Sequence, residues 1–156
     1  MLSHIMQIRI ILLGLALALA SALPTPAAPQ EAAVELAPQE VAPGAVTLEL
    51  TLSLPPDWQL TPEAPQSVRL SVRNPEVLQL TPAAEAALRQ PRFPVSLPLT
   101  AAAGHTVLTL DLVLNLCRAD GKGMCLIREA RLVVPVTVAE GAKDRVLKVP
   151  YALRAP

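Results

Sequence analysis

The sequence has no excess of either charge, little histidine, and none of the common motifs of hydrolytic or nucleotide-binding sites. Thirteen Lys and Arg residues balance thirteen Asp and Glu residues, whereas a protein whose main partner is nucleic acid needs a basic surface. No G-x-S-x-G, H-E-x-x-H or phosphate-binding glycine loop occurs. Beyond residue 22 the only histidine is His105, so we expect no hydrolytic triad, no metal site and no bound cofactor.

Proline is abundant, and long helices are therefore not expected. The 156 residues include 17 prolines, and proline removes an amide donor and clashes inside a helix. The hydrophobic fraction of 52% is too high for a disordered chain. The length fits one domain with appendages, and the composition favours a small β-rich domain.

The first 22 residues have the three parts of a secretory signal. A short N-terminal region ends at Arg9, an apolar run covers residues 10–20, and Ala20 and Ala22 frame Ser21 in an A-x-A cleavage pattern. The apolar run is shorter than the roughly 20 residues that span a bilayer. We predict a signal peptide over residues 1–22 and a periplasmic or secreted protein with no stable membrane span after cleavage. An uncleaved anchor is the alternative.

The rest of the chain divides by composition into a linker and one domain. Residues 23–44 contain five prolines among Ala, Gln and Glu and show no sustained periodicity, which predicts an extended linker. The folded domain is expected over residues 45–156. Residues 46–54 alternate apolar and polar side chains as a half-buried strand does, and Thr81 and Pro82 are placed to begin a short helix. Further strands are predicted over residues 68–72, 77–80, 95–99 and 145–153.

Two longer strands carry the same alternation and are joined by a short turn. The even-numbered residues from Leu108 to Leu116 are all leucine, and Ala130 and Leu132 begin the matching apolar face of the second strand. Gly121 and Gly123 supply the positive-φ residues that a hairpin turn needs. About seven strands separated by Pro and Gly turns predict an all-β fold, an immunoglobulin-like antiparallel β-sandwich.

The chain has two cysteines, Cys117 and Cys125, and they lie at the two ends of this turn. Export places them where disulfides form and persist, and only one intramolecular pairing is possible. Both are out of phase with the core-facing residues of their strands, so both sulfurs are expected outside the core and within bridging distance. Arg118 and Lys122 between them are expected to be solvated turn residues, and the alternative is that one of them favours a thiolate by charge proximity. The pattern leaves two interpretations open: a permanent hairpin staple, or a bridge that an incoming thiolate attacks.

The segment LNLCRADGKGMCLIREARLVVPVTV, which contains both cysteines, resembles the cysteine hairpin of the N-terminal periplasmic domain of the thiol:disulfide interchange protein DsbD. It is also similar to the C-terminal domain of thioredoxin-like proteins with NHL repeats, which carry a Cys-x7-Cys hairpin. The upstream segment LPPDWQLTPEAPQSVRL resembles a recurring element of the same group. The likeness covers most of residues 45–154.

The resemblance implies an immunoglobulin-like fold whose Cys117 and Cys125 are redox-active. In the DsbD case such a pair accepts reducing equivalents from a thioredoxin-like domain and passes them to periplasmic client proteins. The implied partners are therefore a thioredoxin-like protein or domain and client proteins, and the implied function is an exported thiol–disulfide exchange module. The alternative is a non-catalytic exported structural or binding module with a permanent hairpin disulfide.

Overall fold

Ten strands and one short helix form the fold, and the computed structural model describes residues 33–121 and 123–154. The predicted signal segment and residues 23–32 of the predicted linker lie outside the described residues. The elements are β1 (Val34–Glu35), β2 (Gln39–Val41), β3 (Gly44–Ser53), β4 (Trp58–Leu60), β5 (Ser67–Val72), β6 (Leu78–Leu80), α1 (Pro82–Arg89), β7 (Val95–Ala101), β8 (Gly104–Arg118), β9 (Cys125–Val138) and β10 (Val146–Ala152).

The strands form two sheets that enclose one core. In the larger sheet β8 and β9 are central, β1 and β2 pair with β9, and β4 and β5 pair with β8. The smaller sheet has the order β10-β3-β7-β6. Fully buried leucines of both sheets, such as Leu48 and Leu110, belong to a single cluster made of Leu, Val and Ala side chains. The predicted all-β, immunoglobulin-like sandwich is confirmed.

Three of the strand pairings are parallel, whereas the sequence predicted antiparallel pairing. Strands β1 and β2 run parallel to β9, and β10 runs parallel to β3. The paired strands are not joined by a hairpin, so no turn dictates their relative direction. Side-chain alternation shows which residues face the core but carries no information on the direction of a neighbouring strand. The two sheets are therefore mixed.

The folded domain begins before Ala45, where the sequence placed its start. Val41 is fully buried, and the amide of Ala42 donates to the carbonyl of Asp144 at 2.8 Å. The side chain of Gln39 donates to the carbonyl of Lys148 at 2.7 Å and accepts from its amide at 2.8 Å, which joins β2 to β10 of the other sheet. The predicted boundary is therefore corrected to residue 34 or earlier. Strands as short as β1 and β2 show no periodicity from which they could be recognised.

The long hairpin and the helix follow the prediction. Strands β8 and β9 pair in register from Gly104↔Val138 to Cys117↔Cys125. The two turn glycines have φ of 68° and 85°, the positive values that glycine adopts without steric cost. Thr81 caps α1 by accepting from the amide of Ala84. No helix in the described part of the chain is long and apolar enough to cross a membrane.

The revised boundary predicts that Val41→Ala destabilises the domain. The substitution removes two buried methyl groups next to β9, and we expect the free energy of unfolding to fall by about 2 kcal/mol. Glu40→Ala, at the exposed neighbouring position, is the matched control and should change it by less than about 0.5 kcal/mol. Urea unfolding measures both values. If both substitutions changed the free energy of unfolding by equal, near-zero amounts, residues 34–44 would belong to the linker and not to the folded domain.

Candidate functional site

The two cysteines form a disulfide at the last pair of the β8–β9 ladder. Cys117 and Cys125 lie directly opposite each other, with their Cα atoms 4.0 Å apart. In the next pair the amide of Arg118 donates to the carbonyl of Met124 at 3.0 Å. The cysteines therefore occupy a non-hydrogen-bonded position, where antiparallel strands approach most closely. The register of the hairpin by itself brings the two sulfurs within bonding distance.

The disulfide lies on the outer face of the larger sheet. The neighbouring Leu116 is fully buried in the core, and successive side chains of a strand point to opposite faces. Cys117 is half-buried and Cys125 is exposed. The position predicted for the pair, outside the core and open to another molecule, is confirmed.

The side of the bridge formed by Cys117 is covered by β4 and the loop that follows it. Gln59 lies opposite Cys117 in the pairing of β4 with β8. The hydroxyl oxygen of Thr61 lies 3.0 Å from the sulfur of Cys117. A disulfide sulfur has no proton, so the hydroxyl is the donor. This sulfur is therefore the one to which the protein supplies a hydrogen bond.

A side-chain amide holds the loop that carries Thr61. Between β4 and β5 the chain leaves β8, and the side chain of Gln66 fills the gap. It accepts from the amide of Asn115 at 2.8 Å and donates to the carbonyls of Thr61 at 3.2 Å and Ala64 at 3.1 Å. The amide of Thr61 donates in turn to the carbonyl of Asn115 at 2.9 Å. The loop is thereby fixed to β8 two residues from Cys117.

The side formed by Cys125 is exposed, and one exposed apolar side chain, that of Ile127, lies on the same face. Among the described residues, three large hydrophobic side chains are exposed: Val34, Met124 and Ile127, at 39%, 59% and 65%. Two of these three lie within two residues of Cys125. Side chains alternate between faces along a strand, so Ile127 shares the outer face with Cys125, whereas Met124 lies opposite Arg118 and belongs to the other face. The bridge therefore joins a half-buried cysteine, Cys117, to an exposed one, Cys125.

The Arg118 side chain contacts Trp58 and Asp120 and does not lie on the face that carries the disulfide. The Arg118 guanidinium lies 6.0 Å from the centre of the Trp58 ring and 3.6 Å from Asp120. Trp58 packs against the core, so Arg118 is directed toward the face opposite its neighbour Cys117. Lys122, the other cation considered, lies outside the described residues.

An ion pair on the outer face lies too far away to act on the disulfide. Asp111 and Arg131 are cross-strand partners 2.6 Å apart, and the hydrogen bond and charge of Asp111 raise the pKa of Arg131. Along β8 this pair lies roughly 20 Å from the cysteines at the usual rise per residue. At that distance salt screens the interaction between exposed charges.

A surface cleft adjoins the covered side of the bridge. Its volume is about 440 Å³, and it is lined by the loop from Leu60 to Gln66 and by residues 89–93 after α1. Thr61 both lines this cleft and contacts Cys117. Elsewhere, His105 contacts the hydroxyl of Thr137 at 3.0 Å. Within residues 33–121 and 123–154, no group of three or more His, Cys, Asp or Glu side chains is arranged to hold a metal ion.

Comparison with known proteins adds no relative to these observations. No family model matches the chain, and the search of curated proteins found no match. The resemblance of the cysteine hairpin to that of DsbD therefore stays a prediction, and the geometry of the site is what bears on function.

Sequence reasoning missed Thr61 and Gln66. Both lie in the segment LPPDWQLTPEAPQSVRL, which carries the second part of the resemblance. Neither residue belongs to a motif, and the contact of Thr61 joins positions 56 residues apart. Only the pairing of β4 with β8 brings them to the cysteines.

We predict that the domain stays folded when the disulfide is absent. The bridge closes a short loop, for which chain-entropy stabilisation is about 2–3 kcal/mol, and the core lies on the other side of the sheet. The variant Cys117→Ser/Cys125→Ser should lose about that much free energy of unfolding in urea while keeping its circular dichroism spectrum. Unfolding of this variant at room temperature would identify the bridge as a required staple.

Proposed function

We propose that the protein is an exported thiol–disulfide exchange module. In this role the Cys117–Cys125 disulfide accepts two electrons from a thioredoxin-like dithiol and passes them to client proteins. The observation that supports this proposal best is the position of the bridge. It lies on the outer face, at the end of a hairpin, with the sulfur-bearing side chain of Cys125 exposed.

The difference in exposure between the two cysteines determines which sulfur is attacked and which one leaves. The thiolate of the donor attacks the sulfur of Cys125, a donor–Cys125 disulfide forms, and the Cys117–Cys125 bond breaks with the electron pair leaving on Cys117. The second thiol of the donor then attacks its own bridged sulfur and releases Cys125 as a thiolate. The donor ends as a disulfide, and this domain ends as a dithiol after taking up two protons. The same steps in reverse reduce a client disulfide.

The hydrogen bond from Thr61 supports Cys117 as the leaving group. Negative charge develops on the departing sulfur, and a hydrogen bond to a charged atom is stronger than one to a neutral atom. The hydroxyl is already 3.0 Å from that sulfur in the disulfide, and the Gln66 network holds it there. Thr61 is therefore a positioning residue for the exchange.

The competing interpretation is a permanent staple in a structural or binding module. A staple adds most stability where it closes a long loop. Cys117 and Cys125 are only eight positions apart in the sequence, and a tight turn and a continuous ladder already join them. The part of the domain that the structure describes also has 26 buried hydrophobic residues. The bridge contributes comparatively little to the fold, which favours a chemical role.

We predict that the Cys117–Cys125 disulfide has a reduction potential above about −300 mV. Structural disulfides typically have potentials below this value. Equilibration with glutathione or dithiothreitol buffers, followed by mass spectrometry of alkylated protein, measures it. A potential well below that level would establish the staple.

Single-cysteine variants test the order of attack. Cys117→Ser leaves the exposed Cys125 as a thiol. This thiol should displace thionitrobenzoate from a thioredoxin-like protein whose resolving cysteine has been replaced and whose remaining cysteine has been converted to its thionitrobenzoate mixed disulfide, which leaves the two proteins joined. Because access differs between the two sulfurs, we expect Cys125→Ser to give at least about tenfold less complex. Intact-mass spectrometry counts the complexes. Equal amounts of complex with the two variants would contradict the proposal that the donor attacks Cys125 first.

We predict that Thr61→Val slows reduction of the disulfide by dithiothreitol about tenfold. A hydrogen bond to a charged group contributes about 1.5 kcal/mol or more, and 1.4 kcal/mol corresponds to a factor of ten. Thr61→Ser retains the hydroxyl and should restore most of the rate. Stopped-flow kinetics with both variants measures this, and an equal loss in the two would assign the effect to loop packing instead.

A further inference from the structure

The half of β9 nearest the disulfide has an open edge. On the side away from β8, β1 pairs with β9 at residues 132–133 and β2 pairs with it at residues 136–138. In the described part of the chain, residues 125–131 have no strand on this side. Among the described residues, this side of β9 is therefore unpaired from the exposed cysteine of the bridge to the start of the pairing with β1, and we call residues 125–131 the open edge.

The register of the hairpin determines which backbone groups face this edge. The hydrogen bond from Arg118 to Met124 directs the backbone of Met124 toward β8. Backbone groups alternate in direction along a strand, so those of Cys125 point away from β8. The same holds for the other odd-numbered residues, Ile127 and Glu129. Their N–H and C=O groups form a row along the open edge.

Farther along, the same edge already accepts a strand in this register. The amide of Leu36 in β1 donates to the carbonyl of the odd-numbered Val133 at 2.9 Å. Position 135, between the segments paired with β1 and β2, is a proline. Strand β9 accommodates it because the backbone of an odd-numbered residue donates no hydrogen bond to β8. The edge is therefore capable of pairing where a strand is offered, and residues 125–131 contain no proline that would block it.

We propose that the edge from Cys125 to Glu129 binds an extended, cysteine-bearing segment of the exchange partner as an added strand. This inference rests on the exchange function proposed above. Main-chain hydrogen bonds to the odd-numbered residues give the segment its register. Side chains directly opposite in paired strands share a face, at Cα separations of about 4.5–5.5 Å, so a cysteine opposite Cys125 is within disulfide reach. Ile127, 65% exposed, offers an apolar contact beside it.

The short length of the edge favours an exchange partner over a second copy of this chain. Three residues present free backbone groups next to the bridge, which gives weak binding suited to a segment that must leave after each exchange. Two copies joined edge to edge would instead cover Cys125 on both and close the site to a donor. We therefore expect the open edge to bind an extended polypeptide segment that has a cysteine between small or apolar residues.

Ile127→Pro tests the proposal, because the only backbone hydrogen-bonding group that it removes is the N–H that points to the open edge. Proline at position 135 of the same strand shows that the ladder with β8 tolerates this change. Ile127→Thr keeps the amide and removes the apolar side chain. The probes are a short Val- and Thr-rich peptide with a central cysteine, and glutathione, which is too small to add a strand. We expect Ile127→Pro to slow disulfide cleavage by the peptide about tenfold with glutathione unaffected, and Ile127→Thr to slow the peptide less.

Amide hydrogen exchange measures binding of the peptide to the open edge independently of cleavage of the disulfide. The same peptide with serine in place of cysteine should slow exchange of the amides of Ile127 and Glu129 in the full chain. If those amides are protected but no thiol cleaves the bridge, the exchange function fails and the docking edge stands. An unchanged peptide rate in Ile127→Pro, or equal slowing with peptide and glutathione, would overturn the docking proposal. Protection of these amides without peptide, from the chain preceding Ala33 or from a second copy, would overturn it as well.

Discussion

The antiparallel ladder between β8 and β9 is the constraint on which the core and the site both depend. It runs in register from Gly104↔Val138 to Cys117↔Cys125. Because side chains alternate between faces, this register decides at once which residues enter the core and which reach solvent. The leucines of β8 are inside, and the cysteine that follows them is outside. A slip by one residue would expose the leucines and bury the bridge, so the same hydrogen bonds determine the packing of the core and the position of the disulfide.

The sequence predicts the fold where alternation continues over many residues. Strands β3, β8 and β9 are long and face the core on one side only, so their faces could be assigned in advance. The capped helix α1 was also predictable, because Thr81 and Pro82 act locally. Strands β1, β2 and β4 have two or three residues each and form because an existing strand offers them hydrogen bonds. Such segments depend on tertiary pairing, which a linear pattern does not show.

The candidate site divides in the same way. The outward position of Cys117 and Cys125 follows from their phase within a hairpin, which is local information. The contact of Thr61 with Cys117 follows from Gln66 filling a gap in a sheet, which joins β4, β5 and β8. The contact of Arg118 with Trp58 has a related cause, since the pairing of β4 with β8 places the aromatic ring beside it. Neighbours along the chain were predictable, and neighbours across strands were not.

The asymmetry of the bridge is the strongest argument that its surroundings serve chemistry. A permanent staple gains nothing from a hydrogen bond to one sulfur and an open edge beside the other. An exchanging disulfide needs both features, since one sulfur must be reached and the other must leave with charge. Here the pairing of β4 with β8 covers Cys117 and supplies the hydroxyl of Thr61. Strand β9 has no described neighbour at Cys125, because β1 begins to pair only at Leu132. The cover over Cys117 and the unpaired edge at Cys125 both depend on the lengths and starting points of β4 and β1. A change in the length of these strands would therefore alter the reactivity of the bridge even with the cysteines unchanged.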